Sequence, residues 1–324
     1  MKYPYTYHFK LITKTALAVA ALVSFSLGAH AQELGNETQT QHPLGAQYFM
    51  NQYLANPAMA GLGTGLKLDF AHRRLWQGIE GAPVTTSATA NIPVTDRVAA
   101  GLQLYHDKAG LLSQTRVAVT YAYHLPLNLE KGTALHFGLS GVLDNKRITS
   151  KGMEGDPDPA VARYNNRDNF FDADFGMAYT NEHLTLQASV PSLFAKFTKD
   201  EYESFNKPLF FAAASYKVTT DEGSTITSVE PKICVRGIKG ESSMIDIGAN
   251  VAVLNDLANV FAMYHSTRNF SAGMGFNFKQ NAGLQLIYNS QTSGLKNYTD
   301  GAFEINLHLN LFRKLVPGTQ EQQQ

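Results

Sequence analysis

Between Gly65 and Phe312, apolar and polar residues alternate at period two, segment after segment. In the last segment Phe303, Ile305, Leu307, Leu309 and Leu311 share one face, and Glu304, Asn306, His308 and Asn310 share the other. Residues two apart in a strand point to the same side, so each such segment divides an apolar surface from a polar one. The same pattern sets Val117, Val119, Tyr121, Tyr123 and Leu125 against Ala118, Thr120, Ala122 and His124. It sets Leu135, Phe137 and Leu139 against His136, Gly138 and Ser140, and Ile245, Ile247, Ala249 and Val251 against Asp246, Gly248 and Asn250.

Alternation read together with turn chemistry predicts fourteen strands. They lie near 65–73, 84–93, 97–106, 114–125, 133–146, 172–180, 184–190, 209–218, 225–236, 244–254, 259–266, 270–277, 282–288 and 303–312. Thr95-Asp96, Asn181-Glu182, Asp221-Glu222-Gly223 and Gln280-Asn281 punctuate them. The four longest gaps, 74–83, 147–171, 191–208 and 289–302, are all odd-numbered. Bacterial barrels alternate short periplasmic turns with longer extracellular loops, so an even strand count with both barrel ends in the periplasm is predicted. A soluble β-sandwich also alternates, but it does not need long loops confined to one end.

The start of the chain carries an export signature. Lys2, Lys10 and Lys14 precede the apolar run Ala16 to Leu27, and Ala29-His30-Ala31 supplies the small residues of a cleavage site, placed before Gln32. That run is too short to span about 30 Å of hydrocarbon as a helix, so strands must do any membrane crossing. The predicted fold is therefore all-β: a transmembrane antiparallel up-and-down β-barrel of about fourteen strands, lipid outside and a polar lumen inside. The predicted organisation is a signal peptide at 1–31, a signature segment at 32–63, the barrel at 64–312 and a polar periplasmic tail at 313–324.

Fourteen strands spaced about 4.8 Å and tilted about 40° enclose a backbone diameter of about 28 Å, too wide for side chains alone to fill. Either the barrel is a pore or a segment fills it, and the candidates are 32–63 and 147–171. A substitution at lipid-facing Leu307 is expected to be severe and one at lumen-facing Asn306 mild.

Charge and chemistry change this picture little. The full chain has 27 basic and 27 acidic residues; the leader holds three lysines and no acid, leaving 24 against 27. That balance suggests neither nucleic acid nor acidic-lipid binding. Cys234, the single cysteine, sits in Ile233-Cys234-Val235 and reads as a small buried apolar residue. His136 and Ser140 share a face, but no acid completes a hydrolase set and no Gly-x-Ser-x-Gly elbow exists. Asp156, Asp158, Asn165, Asn166, Asp168, Asp172 and Asp174 offer oxygens to calcium but lack a fixed ligand spacing, so a solvated acidic loop is preferred. The ten histidines show no transition-metal spacing. No cofactor and no catalytic residue is predicted.

Gln47-Tyr48-Phe49-Met50-Asn51-Gln52-Tyr53-Leu54-Ala55-Asn56-Pro57-Ala58-Met59-Ala60-Gly61 resembles the opening signature of the PorP/SprF family, outer-membrane barrels of Bacteroidetes tied to type IX secretion and gliding motility. The block Arg74-Leu75-Trp76-Gln77-Gly78-Ile79-Glu80-Gly81-Ala82-Pro83 is similar to the same family, as are Asp107-Lys108-Ala109-Gly110, Tyr121-Ala122-Tyr123, Leu135-His136-Phe137-Gly138-Leu139 and the closing Gly301-Ala302-Phe303-Glu304-Ile305-Asn306-Leu307. The resemblance implies a non-enzymatic component that anchors or supports export of a secreted surface protein, often a gliding adhesin. Its implied partners are a secreted type IX cargo or adhesin C-terminal domain, periplasmic secretion components and outer-membrane lipid, with no nucleic acid. The competing class is a passive porin or small-solute transporter.

In the signature, Pro57 restricts Asn56 to extended backbone, and small Ala58, Ala60 and Gly61 allow close approach to a strand wall. Tyr48, Phe49 and Tyr53 supply area to bury. The expected partner-binding residues are Tyr48, Phe49, Asn51, Asn56, Pro57, Ala58, Gly61, Arg74, Trp76, Gly78 and Pro83. Trp76, the single tryptophan, fits an interfacial girdle position as well as a partner contact.

Overall fold

A backbone in hydrocarbon must pair all of its own polar groups, and an antiparallel sheet does so only if it closes on itself. In the computed structural model, which describes residues 43–75, 81–128, 131–149, 159–165, 170–194, 208–221, 223–238, 242–278, 281–290 and 301–312, the sheet closes. The strands are β1 (Leu66–Leu75), β2 (Val84–Pro93), β3 (Val98–Ala109), β4 (Leu112–Asn128), β5 (Thr133–Ile148), β6 (Phe170–Thr180) and β7 (Leu184–Val190). After them come β8 (Pro208–Tyr216), β9 (Ile226–Ile238), β10 (Met244–Val253), β11 (Ala258–His265), β12 (Asn269–Phe278), β13 (Ala282–Asn289) and β14 (Ala302–Leu311). A two-residue piece, Val218–Thr219, continues β8 past Lys217, since both pieces pair with β9. Each strand is antiparallel to its sequence neighbours, and β14 pairs with β1 from Leu66–Leu311 to Leu75–Ala302. The protein is a closed fourteen-stranded antiparallel barrel.

All fourteen predicted strands are present, with ends shifted by a few residues. The long connections β1–β2, β5–β6, β7–β8 and β13–β14 lie at one end, while no connection at the other exceeds the six residues 220–225. The long-loop end is the extracellular one. Residues 1–31, predicted as a signal peptide, lie outside the described residues, as do 32–42, 313–324, 150–158 and 166–169; a short helix at Pro159–Asn165 falls within loop 147–171. Among the described residues no helix is long and apolar enough to cross a membrane.

Alternation sorts the wall as predicted. Phe303, Ile305, Leu307, Leu309 and Leu311 are exposed on the outside, whereas Glu304 and Asn306 are buried within. The lumen differs from expectation in one respect: it is not uniformly polar. Phe211, Ala213, Cys234, Phe261, Met263 and Ile287 form an apolar patch on its inner wall, and Cys234 has the small apolar role expected of it. Because Asn306 is 1 % exposed, its substitution cannot be as mild as the sequence suggested.

Leu307→Arg, on the lipid face between Phe70 and Leu284, should cost about 2–4 kcal/mol in reversible unfolding from bilayers. Asn306→Leu should cost a comparable amount by overpacking the filled interior, about 1–3 kcal/mol.

Candidate functional site

The interior is occupied by the chain's own residues 43–62. They form three single 3₁₀ turns, Gly45–Gln47, Gln52–Leu54 and Pro57–Met59. The third has a local cause: extended Asn56 caps it, its side chain accepting from the Ala58 amide at 3.0 Å, and Pro57 occupies the first position. Proline costs nothing there because its missing N–H has no helical partner.

The segment reaches wall strands on all sides. Near the extracellular end Arg73 Nη1 donates to the Pro43 carbonyl at 2.9 Å, and Glu304 accepts from the amides of Gly45 and Ala46 at 2.9 and 3.0 Å. Lys232 donates to the Tyr48 carbonyl. Further along, Asn51 Nδ2 donates to Thr89 at 2.9 Å, Gln103 donates to the Tyr53 carbonyl at 2.7 Å, and the Tyr53 hydroxyl meets Thr120 at 2.6 Å. Asn56 Nδ2 donates to the Met177 and Ala188 carbonyls, and Ser189 to the Ala55 carbonyl at 2.6 Å. Nearest the periplasm, the Gly61 amide donates to Asn91 at 2.9 Å.

Close approach depends on wall glycines that the sequence reading did not single out as contacts. Gly138 and Gly176 face each other across β5 and β6. A Cβ on Gly138 would lie 2.3 Å from the Ala58 nitrogen, and one on Gly176 would lie 2.0 Å from Asn56 Oδ1. Gly101 receives the Tyr53 ring in the same way. The legible signal was glycine at inward-facing strand positions, where neither lipid nor turn geometry asks for it.

Tyr48 and Phe49 seat on the apolar wall patch, with Phe49 5.6 Å from the Phe261 ring. Beside them lies a buried polar network. Arg236 makes a two-pronged contact with Asp246 at 2.7 and 3.1 Å, and Tyr48 donates to Asp246 Oδ2 at 3.0 Å. His265 Nδ1 lies 2.7 Å from Asp246 Oδ1, and its Nε2 lies 2.8 Å from Ser271 Oγ. This is an acid–imidazole–hydroxyl order spread over β10, β11 and β12, a set the sequence could not assemble.

Its surroundings fit structure better than hydrolysis. Asp246 is already neutralised by Arg236, and the Ser271 hydroxyl also bonds Asn289. Tyr48 stands 5.8 Å over the imidazole, and Asp246 is 0 % exposed. A working triad leaves its hydroxyl open to a carbonyl carbon; the Ser271 hydroxyl is buried between His265 and Asn289. The pair first considered, His136 and Ser140, is divided between other partners: His136 bonds His124 and Thr180, and Ser140 bonds Thr120.

The expected site residues fall into two groups. Tyr48, Asn51, Asn56, Pro57, Ala58 and Gly61 are buried in the lumen and Phe49 is half-buried beside them. Arg74 is exposed at the extracellular end of β1, where the Leu75 amide bonds the Pro83 carbonyl at 3.0 Å. Trp76 and Gly78 lie outside the described residues. Of the candidate calcium oxygens, Asp174 pairs with Arg116, Asp172 caps the amides of Ala173 and Phe194, and Asn165 is bonded to Ile148. Among the described residues no cluster of three potential metal ligands forms.

A closed antiparallel barrel with an apolar outer face and an interior occupied by an ordered segment defines an outer-membrane-type barrel protein rather than a soluble sheet protein. The chain belongs to the PorP/SprF family, the type IX secretion system membrane proteins, whose profile matches residues 37–309. No curated protein matches the chain. Among solved structures it is similar to the Acinetobacter baumannii outer membrane protein Omp33, at 6 % identity and a TM-score of 0.46 over 77 % of this chain and 99 % of that one. It is also similar to a TodX monoaromatic hydrocarbon channel mutant, at 10 % identity and 0.41 over 80 % and 92 %, and to a Rh. blastica porin mutant, at 11 % and 0.35 over 76 % and 99 %.

Asn56→Ala removes the partner of three backbone groups and should destabilise by about 1–3 kcal/mol. Gly176→Val should unseat the segment without opening the barrel, read as new protease cleavage within 43–62 of a protein that stays heat-modifiable on a gel. Asp246→Asn leaves Arg236 buried without its counter-charge and should cost about 3–5 kcal/mol. Adding Arg236→Met should recover most of that loss in a denaturant titration.

Proposed function

We propose that this protein is a non-enzymatic outer-membrane component of type IX secretion that holds a secreted surface protein at the cell surface. Its own N-terminal segment keeps the lumen shut. The observation that carries this reading is the commitment of the lumen: inward side chains on strands from β1 to β14, among them Arg73, Gln103, Ser189, Lys232 and Glu304, bond residues 43–62. A barrel so filled acts through its surfaces. The partner, a secreted cargo or adhesin domain, docks at the extracellular end, where Arg74, Trp76, Gly78 and Pro83 belong to one conspicuous block. Tyr48, Phe49, Asn51, Asn56, Pro57, Ala58 and Gly61 support that end from within by fixing the strands beneath it, so less ordering remains to be done on binding. Periplasmic secretion components meet the short-turn end.

Purified protein in planar bilayers should conduct little, and deletion of residues 32–63 should raise the conductance. Pull-down of detergent-solubilised protein should recover a secreted type IX cargo or a periplasmic component of the machine. Asn56→Ala with Pro57→Gly should weaken that recovery while the barrel stays heat-modifiable. Large steady conductance from the intact protein would make it a porin. Normal display of the partner by the folded double variant would leave the signature with no part in docking.

A further inference from the structure

The outer wall is apolar on most strands up to the extracellular end. Phe171, Tyr264, Phe270 and Phe303 all stand exposed there, and Tyr288 is half-buried between Phe270 and Phe303. One sector departs from this. Arg74 is opposite Val84, Val84 opposite Lys108, Lys108 opposite Ser113, and Ser113 opposite Arg147. One register row across β1 to β5 thus carries three cations, and all three side chains are exposed.

The row beneath is His72, Thr86, His106, Thr115 and Asn145. His72 bonds Thr86 and His106 bonds Thr115, each at 2.9 Å, and Arg147 Nε donates to Asn145 at 3.0 Å. These contacts place both rows on the outside of the wall. Across the seam the same two heights on β14 carry Phe303 and Ile305.

Parity gives the sign of the surface. The acids of these strands, Asp69, Asp107 and Asp144, all face the lumen, where they bond His308, Thr85 and Gln114. Among the described strand residues the outward-facing charges are Arg74, Lys108 and Arg147, with no acid beside them. Alternating cations are spaced two strands apart, about 10 Å. Arg74 stands eight residues above the start of β1, about 20 Å at a 40° tilt, near the top of an apolar band about 25 Å tall. Lys108 and Arg147 sit progressively higher along the tilted row.

We propose that this sector is a binding site for the phosphorylated glycolipid headgroups of the outer leaflet. The chemistry fits: guanidinium groups grip phosphate through paired N–H donors, Lys108 adds a point charge, and the hydroxyl, amide and imidazole row below meets sugar. Lipid is what already lies against this face, so its occupant is a neighbour of the membrane and not a chain that must first arrive. The whole-chain balance, three acids in excess after the leader, concealed this because the acids of these strands are turned inward.

The test is native mass spectrometry of the detergent-purified protein titrated with lipid A and, separately, with chemically dephosphorylated lipid A. The variant is Arg74→Gln/Lys108→Gln/Arg147→Gln, its fold checked by heat-modifiability. The wild type should prefer the phosphorylated lipid, and the variant should lose about a hundredfold in its apparent affinity, given the usual gain per basic side chain at a membrane surface. Added salt should weaken the wild type and leave the variant unmoved. Equal binding of both lipids by the wild type, or unchanged binding by the folded variant, would overturn the proposal. So would a variant that keeps its lipid and loses only an acidic partner protein. Arg74 also belongs to the proposed docking block, so cargo pull-down is run on Lys108→Gln/Arg147→Gln, which keeps it; with conductance this reads the proposed function separately, and either reading can fail alone.

Discussion

Everything in this structure hangs on the ten-residue pairing of β1 with β14. An open fourteen-stranded sheet would leave two rows of unpaired backbone N–H and C=O groups in hydrocarbon, and each such group costs several kcal/mol there. Closure removes both edges at once and fixes the circumference. The circumference in turn creates an interior about 28 Å across, wider than inward side chains can bridge. The N-terminal segment meets that need. Its turns present backbone amides and carbonyls to the wall, and the wall answers with Glu304, Gln103, Ser189, Lys232 and Arg73.

The two sides of the wall therefore obey different rules. Outside, apolar area is sufficient, and Leu, Ile and Phe follow one another with little individual specificity. Inside, each polar group needs a particular partner, because a buried donor or acceptor left unmatched costs more than a formed bond returns. The Arg236–Asp246–His265–Ser271 chain illustrates this. It has the outline of a catalytic relay, yet each member is satisfied by a neighbour and the whole ties β9 through β12 to Tyr48. Likeness in geometry is not likeness in chemistry when the hydroxyl has nowhere to send its attack.

Much of the fold was legible because strand parity and turn residues are local. Phe303 to Leu311 announced their faces without help from the rest of the chain, and the placement of long gaps fixed the count. What escaped was non-local. Phe261 and Met263 face inward while Val260, Ala262 and Tyr264 face out, and a strand apolar on both sides carries no parity signal. Asp246, His265 and Ser271 lie on three strands, and only the register brings them together. Gly138 and Gly176 are ordinary in sequence; their role follows from what presses against them. The basic row was hidden in another way, since it takes four register pairings to align Arg74, Lys108 and Arg147.

The grip of Glu304 on Gly45 and Ala46, set beside that of Arg73 on Pro43, bears on how the barrel is made. Arg73 belongs to the first strand and Glu304 to the last, and the two residues are themselves opposite one another at the seam. Bringing together chain ends separated by more than two hundred residues is the step with the largest loop-closure cost. A segment already bound to the first strand, and offering two amides to a carboxylate on the last, lowers that cost by holding a landing place for the incoming edge. It also has to be enclosed as the ring forms, since wall strands surround it. The signature is in that sense a mandrel around which the cylinder is wound, and changes in it should be felt first in assembly kinetics.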